Sequence, residues 1–165
     1  MEIKLRKLML KDAEYMYEWM SDSQISQFFR FDVSNISVES CAEFIKHSGD
    51  DENTMHFAIA NHNDDYLGTI SLKNITKTEA EYAISTRKKV HGTGVAMQAT
   101  KLILDYAFNC LNLERVYLNV LVENKRANSF YKKAGFHFWY QAKNAINIRG
   151  NLKDLNWYYY NKPTD

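Results

Sequence analysis

Glu2-Ile3-Lys4-Leu5-Arg6-Lys7-Leu8 alternates polar and apolar side chains, the period of a strand with one buried face. Asp12 then stands where a helix over residues 13–20 needs its N-cap. Residues 21–37 lose periodicity and contain Phe28-Phe29-Arg30-Phe31. Ser37 is placed to cap a second helix, with Val38, Ala42, Phe44 and Ile45 as its apolar contacts and Gly49 as its end. Three short β-rich runs follow at residues 54–60, 66–74 and 79–86, the first two separated by the turn chemistry of Asn61-His62-Asn63-Asp64-Asp65. Their spacing predicts antiparallel hairpins.

The period then changes. Ala99, Leu102, Ile103, Tyr106, Ala107 and Cys110 recur at helical spacing and predict a long helix over 94–110 with one apolar face. Residues 115–122 read as an apolar strand. Residues 124–134 read as a helix with the stripe Ala127, Phe130, Tyr131, Ala134, closed by Gly135. Two strands, 136–143 and 153–160, flank a turn at Arg149-Gly150-Asn151. The order β-α-α-β-β-β-α-β-α-β-β predicts an α/β chain: a mixed, mostly antiparallel seven-stranded sheet with four helices, its last core βαβ step a right-handed parallel crossover.

The length of 165 residues fits a single domain spanning 1–165 that buries its own core. A formal net charge of +1 gives no global field for nucleic acid or an anionic membrane, so neither is expected as a partner. No secretory h-region and no run of about 18 apolar residues is present, which points to a cytoplasmic protein. Cys41 and Cys110 are far apart and read as buried, reduced thiols. The histidines show no metal-ligand spacing, so no metal is expected.

The first chemical signal lies between the third meander strand and the long helix, in Arg87-Lys88-Lys89-Val90-His91-Gly92-Thr93-Gly94-Val95-Ala96. Two glycines allow close backbone approach, and the helix that starts at once presents unpaired N–H groups at its positive end. Residues 82–104 hold no Asp or Glu, which suits an anionic ligand. No Gly-Lys-Ser/Thr follows, so this is not a P-loop, and Met97 stands where a dinucleotide fingerprint wants a small residue. The Gly-x-Gly alone still leaves a nucleotide-binding oxidoreductase open.

His91-Gly92-Thr93-Gly94-Val95-Ala96 resembles the acetyl-CoA loop of the GNAT N-acetyltransferases, and Asn124-Lys125-Arg126-Ala127-Asn128-Ser129-Phe130-Tyr131-Lys132-Lys133-Ala134-Gly135-Phe136 is similar to the same family's second segment. Within that superfamily the chain looks most like the RimJ/RimL-type branch. His91 departs from the Arg or Gln usual at its position. The resemblance implies the GNAT fold and direct transfer of acetyl from acetyl-CoA, the co-substrate, to a primary amine. It implies Tyr131 as general acid toward the leaving thiolate and Glu81 as the base, or else as a group orienting a cationic acceptor. It further implies acetyl-CoA contacts from Ile84, Ser85 and Thr86 as an added-strand edge, from His91 to Ala96 as the phosphate loop, and from Asn124 and Tyr131. Phe28, Phe29, Arg30 and Phe31 are the expected acceptor-side residues: the rings stacking on a base or sugar, Arg30 meeting a diphosphate. The Phe residues equally suit core packing. A polyamine would instead want carboxylates such as Asp32, Glu39, Glu43, Glu79 and Glu81, and a protein N-terminus would want an open groove. A small-molecule amine is favoured over a ribosomal-protein-type acceptor and over a catalytically silent acetyl-CoA-binding module. Edge strands and the aromatic run Trp157-Tyr158-Tyr159-Tyr160 make a homodimer an expectation.

Overall fold

A computed structural model describes residues 2–164. Seven strands form one sheet in the order β1-β2-β3-β4-β5-β7-β6: β1 Ile3–Lys7, β2 Met55–Asn61, β3 Tyr66–Lys73, β4 Glu79–Thr86, β5 Arg115–Leu121, β6 His137–Ile148, β7 Asn151–Asn161. All neighbours are antiparallel except β4 and β5. The helices among the described residues are α1 Ala13–Met20, α2 Ser23–Ser26, α3 Val38–Lys46, α4 Val95–Asp105 and α5 Lys125–Lys133. The single turn of α2, capped by Asp22 on the Gln24 amide at 2.9 Å, is a fifth helix inside the stretch that read as irregular.

Local chemistry explains where the reading and the molecule part. Asp12 gives α1 no side-chain cap. Its buried carboxylate instead takes two N–H bonds from the Arg6 guanidinium, at 2.8 and 2.9 Å, and the Met9 amide at 2.8 Å. Ser37 does cap α3, in a reciprocal box with Ser40. That helix ends at Lys46, before Gly49. The long helix is α-helical only to Asp105 and then widens into a π-type turn over Tyr106–Cys110. Cys41 is buried, but Cys110 is exposed.

The parallel step is β4-α4-β5. In the next step β7 inserts between β5 and β6, so β5 pairs antiparallel with β7. β7 takes the inner place because it carries Leu155 and Tyr158, which need the core, while β6 is exposed along most of its length. The run Trp157–Tyr160 is therefore interior to the sheet, and the exposed edge aromatics are Phe138, Trp139 and Tyr140 on β6. α4 and α5 cover one face of the sheet over Ile70, Leu72, Tyr82 and Val116, while α1 and α3 cover the other over Ala58 and Tyr66. No described helix is long and apolar enough to cross a membrane.

Candidate active site

β4 and β5 pair at three positions only, Glu79–Arg115, Ala80–Val116 and Glu81–Tyr117. Past Glu81 the two strands have no further paired positions, so the sheet opens there. Ile84, Ser85 and Thr86 lie on the opened stretch, paired on their other side with Ile70, Thr69 and Gly68 of β3. Their edge toward β5 offers main-chain groups to an extended ligand.

The chain leaves β4 through a 3-10 turn, Lys88–Val90, and reaches His91. Gly92 (φ 78°) and Gly94 (φ 87°) are both left-handed, and no atom lies within 4 Å of where either would carry a Cβ. Val95, fully buried, anchors the start of α4 in the core. The first helical donation runs from the Gln98 amide to the Gly94 carbonyl at 3.0 Å, and no side chain caps the helix. The amides of this first turn thus face open space at the positive end of an eleven-residue helix, a place suited to phosphate.

Two of the cations flanking the loop in sequence, Arg87 and Lys88, are engaged elsewhere. Arg87 turns away: its guanidinium pairs with Glu18 of α1 at 2.9 Å, reaches the Tyr66 carbonyl at 3.3 Å and lies 4.4 Å over the Tyr15 ring. Lys88 donates to Gln24 of α2 at 3.0 Å. The cation held against the loop is Arg126 of α5, whose Nη1 donates to His91 Nδ1 at 3.0 Å. Burial, then Arg126, lowers the His91 imidazole below its ordinary range, which keeps it neutral and able to accept that bond. Arg126 sits inside the second motif segment, but only the fold brings it to His91, 35 positions earlier.

Asn124 caps α5, its Oδ1 accepting the Ala127 amide at 3.2 Å. Asn128, unremarked in the sequence, is buried and fully used. Its Nδ2 donates to the carbonyls of Leu121 and Asn124, and its Oδ1 accepts from Asn156 and Tyr158. The start of α5 is thereby tied to β5 and β7, which fixes Tyr131 one turn later. Tyr131 is packed edge-on against Tyr82 at 5.9 Å, with Phe130 and Phe136 around it. Its hydroxyl has no hydrogen-bond partner among the described residues, and burial pushes the phenol up to about 12. Tyr82, whose own hydroxyl bonds Thr100 of α4 at 2.7 Å, is the first β4 residue past the pairing with β5. Tyr131 therefore meets the opening in the sheet from the α4/α5 face.

The opposite face holds a cavity of about 440 Å³, bounded by α1, α3, the 29–36 loop and β2–β4. Trp19, Phe29, Phe31, Phe44, Ala83 and Ile84 make it mostly apolar, and its polar lining includes His56, Ser71, Ser85 and Lys73. Among the described residues no carboxylate lines it. Phe29 and Phe31 are stacked at 5.1 Å and both face it, whereas Phe28 packs away, against Leu121, Ile148 and Leu155. Arg30 bonds the Asn119 side chain. With Phe31, Asp32 and Arg149, it also lines a second recess of about 300 Å³ that shares Phe31 with the cavity. Glu81 lies on β4 below the opening, 3.6 Å from Lys73 Nζ and 3.5 Å from Asn74 Nδ2. Asp32, Glu39, Glu43 and Glu79 do not join it in one cluster at the cavity.

The family model for the acetyltransferase (GNAT) domain matches residues 2–137. The chain belongs to the GNAT acetyltransferase family. This GNAT protein is an acetyl-CoA-dependent N-acyltransferase with the mixed, mostly antiparallel sheet of that family. Spermidine N(1)-acetyltransferase of Escherichia coli K12 is 27% identical to it over 154 residues, 92% of this chain and 82% of the relative. Acetyltransferase PseH of Campylobacter jejuni (strain 81-176) is 24% identical over 149 residues, 88% and 92% of the two chains. Spermidine N-acetyltransferase from Vibrio cholerae, solved in complex with CoA and spermine, superposes with a TM-score of 0.84 at 25% identity over 96% of this GNAT chain and 95% of that one.

Proposed function

We propose that this enzyme acetylates a small-molecule primary amine carried on a compact, largely uncharged body that also bears an anionic group, as in an amino-sugar nucleotide. The observation that carries this reading is the lining of the 440 Å³ cavity: aromatic and aliphatic, without a carboxylate, and with Lys73 at its edge. A polycation entering it would be desolvated without a counter-charge. An amine on an apolar ring brings only one charge, and it loses that charge with the proton it must give up before attack. Arg30 and Arg149, around the adjoining recess, supply the matching groups for a phosphate. The similarity to the spermidine enzymes supports a polyamine as the second reading.

In this reading acetyl-CoA lays its pantetheine along Ile84, Ser85 and Thr86 and its pyrophosphate on the amides of Gly92, Gly94, Val95 and Ala96, with Arg126 as the nearby cation and Asn124 at the arm. The acceptor amine comes from the cavity side and Tyr131 faces the sulfur from the other. A phenol near 12 does not give its proton up to a thiolate whose acid lies near 8.5; full transfer is uphill by about 5 kcal/mol. Tyr131 thus acts by donating a hydrogen bond to sulfur as the C–S bond breaks, and the thiol proton is drawn from the amine or from water. Glu81, outside the cavity, holds the Lys73 ammonium at its edge rather than serving as a free base.

The test is CoA release from acetyl-CoA with a UDP-linked amino sugar, spermidine, phenethylamine and a peptide with a free N-terminus. Release highest with the amino-sugar nucleotide, and weakened in Arg149→Ala, is the expected result. Release confined to spermidine or to the peptide would overturn the acceptor class.

A further inference from the structure

His56 on β2 and Ser71 on β3 are directly opposed in the antiparallel register, and His56 Nδ1 lies 2.6 Å from Ser71 Oγ. Both line the acceptor cavity. Ser71 is in turn opposite Ala83 of β4, so its hydroxyl stands about one strand spacing, roughly 5 Å, from the edge that carries Ile84 and Ser85. Phe44 of α3 meets the imidazole edge-on at 4.9 Å and fixes the ring. The charged groups that face it are Lys73 of β3 and Asp51 from the loop before β2, and the Cys41 thiol shares the cavity. Burial, then Lys73, moves the imidazole below its usual 6.5 against the opposing pull of Asp51, while burial pushes the Cys41 thiol up. At neutral pH the cavity therefore holds an uncharged imidazole, a hydroxyl bonded to it, and a thiol that keeps its proton. An amine arrives mostly as ammonium and must lose a proton before it attacks. No carboxylate lines the cavity among the described residues, and Glu81 lies outside it on Lys73.

We propose that Ser71 and His56 form the relay that takes the first proton from the acceptor ammonium. This rests on the reading that a small amine enters this cavity. The ammonium passes one proton to Ser71 Oγ while the Ser71 proton moves to His56 Nδ1, leaving a neutral amine, an intact serine and an imidazolium. The amine lone pair forms the C–N bond at the thioester carbonyl carbon and the C–S electrons leave with sulfur. The second amine proton neutralises the thiolate, and the imidazolium returns its proton to water. Overall, ammonium and acetyl-CoA give amide, CoA thiol and one released proton.

The experiment has two arms. In the first, histidine ring resonances of the whole protein are titrated by NMR with no acceptor present. The His56 signal should titrate below 6.5 and should move in Ser71→Ala. A His56 already protonated at pH 7, or one blind to Ser71→Ala, overturns the relay. In the second arm, kcat and KM for phenethylamine, which can enter on size and polarity alone, are measured across pH. His56→Gln should lower kcat about 10²-fold with KM within about threefold. It should also abolish the acid limb of kcat/KM, with Ser71→Ala acting in the same direction. Glu81→Gln should shift KM and keep the limb. A His56→Gln enzyme that keeps its acid limb, or a Glu81→Gln enzyme that loses it, overturns the proposal. Failure of phenethylamine to react would count against the apolar-body acceptor alone, and the titration would then decide the relay.

Discussion

The Tyr131 hydroxyl makes no hydrogen bond among the described residues, while its ring is enclosed by Tyr82, Phe130 and Phe136. Deleting the oxygen therefore removes no internal bond and leaves the packing intact. Tyr131→Phe should keep Tm within about a degree and lower kcat by about 10² or more, because only the donor to sulfur is lost. In the proposed role Tyr131 works as the protonated phenol, and with its pKa pushed up to about 12 that form persists as pH rises. No alkaline loss of kcat from this group is expected below about pH 11, and a limb near pH 9 that disappears in Tyr131→Phe would sink the assignment. The residue was legible because motif spacing places it on α5. Its unpartnered hydroxyl was not, since that depends on Asn128 locking α5 to Leu121, Asn156 and Tyr158, contacts that span up to 30 positions.

At the scale of elements, local alternation carried the reading and long-range competition defeated it. β4 was read with its observed bounds because Ala80 and Tyr82 alternate with half-buried neighbours between two partner strands. β6 was read several residues short, because an edge strand with one buried residue in twelve shows almost no period. Charge in sequence likewise does not say which partner a side chain will find: Arg87 finds Glu18, and Arg126 finds His91. Arg87→Ala should lower Tm by releasing β4 from Glu18 and Tyr15, and should leave the salt dependence of acetyl-CoA binding unchanged. Arg126→Ala should weaken acetyl-CoA about tenfold and flatten that salt dependence. Calorimetry of both variants at two ionic strengths separates them; equal effects would place Arg87 at the phosphate site beside Arg126. Gly68→Ala tests the edge itself. A Cβ there would lie 2.5 Å from the Ser85 carbonyl oxygen and 2.8 Å from Thr86 Cα, both backbone, so β4 must move. Acetyl-CoA affinity should fall together with Tm.

Across the whole molecule, the two parts of the sheet touch through only three paired positions of β4 and β5, and acetyl-CoA bound in the opening would act as the missing strand. His56 and His91 both sit below their usual range in the folded state, so the unfolded chain binds protons first as pH falls. Stability is thus full above about pH 6.5 and is lost as pH drops through the folded values, which sets near-neutral conditions as those for measuring binding. There, acetyl-CoA at about a hundred times its Kd contributes about 2.7 kcal/mol, which for a chain of this size is a Tm rise of about 5–10 °C. NAD(H) and NADP(H) share the pyrophosphate but lack an arm that can pair with Ile84, Ser85 and Thr86, so they should raise Tm by less than about a degree. Thermal shift with the two ligand classes at matched concentration therefore asks whether the opening between β4 and β5 or the glycine loop alone selects the ligand. A response to NADP(H) equal to that for acetyl-CoA would assign recognition to the loop alone, and the added-strand account of Ile84, Ser85 and Thr86 would have to be abandoned.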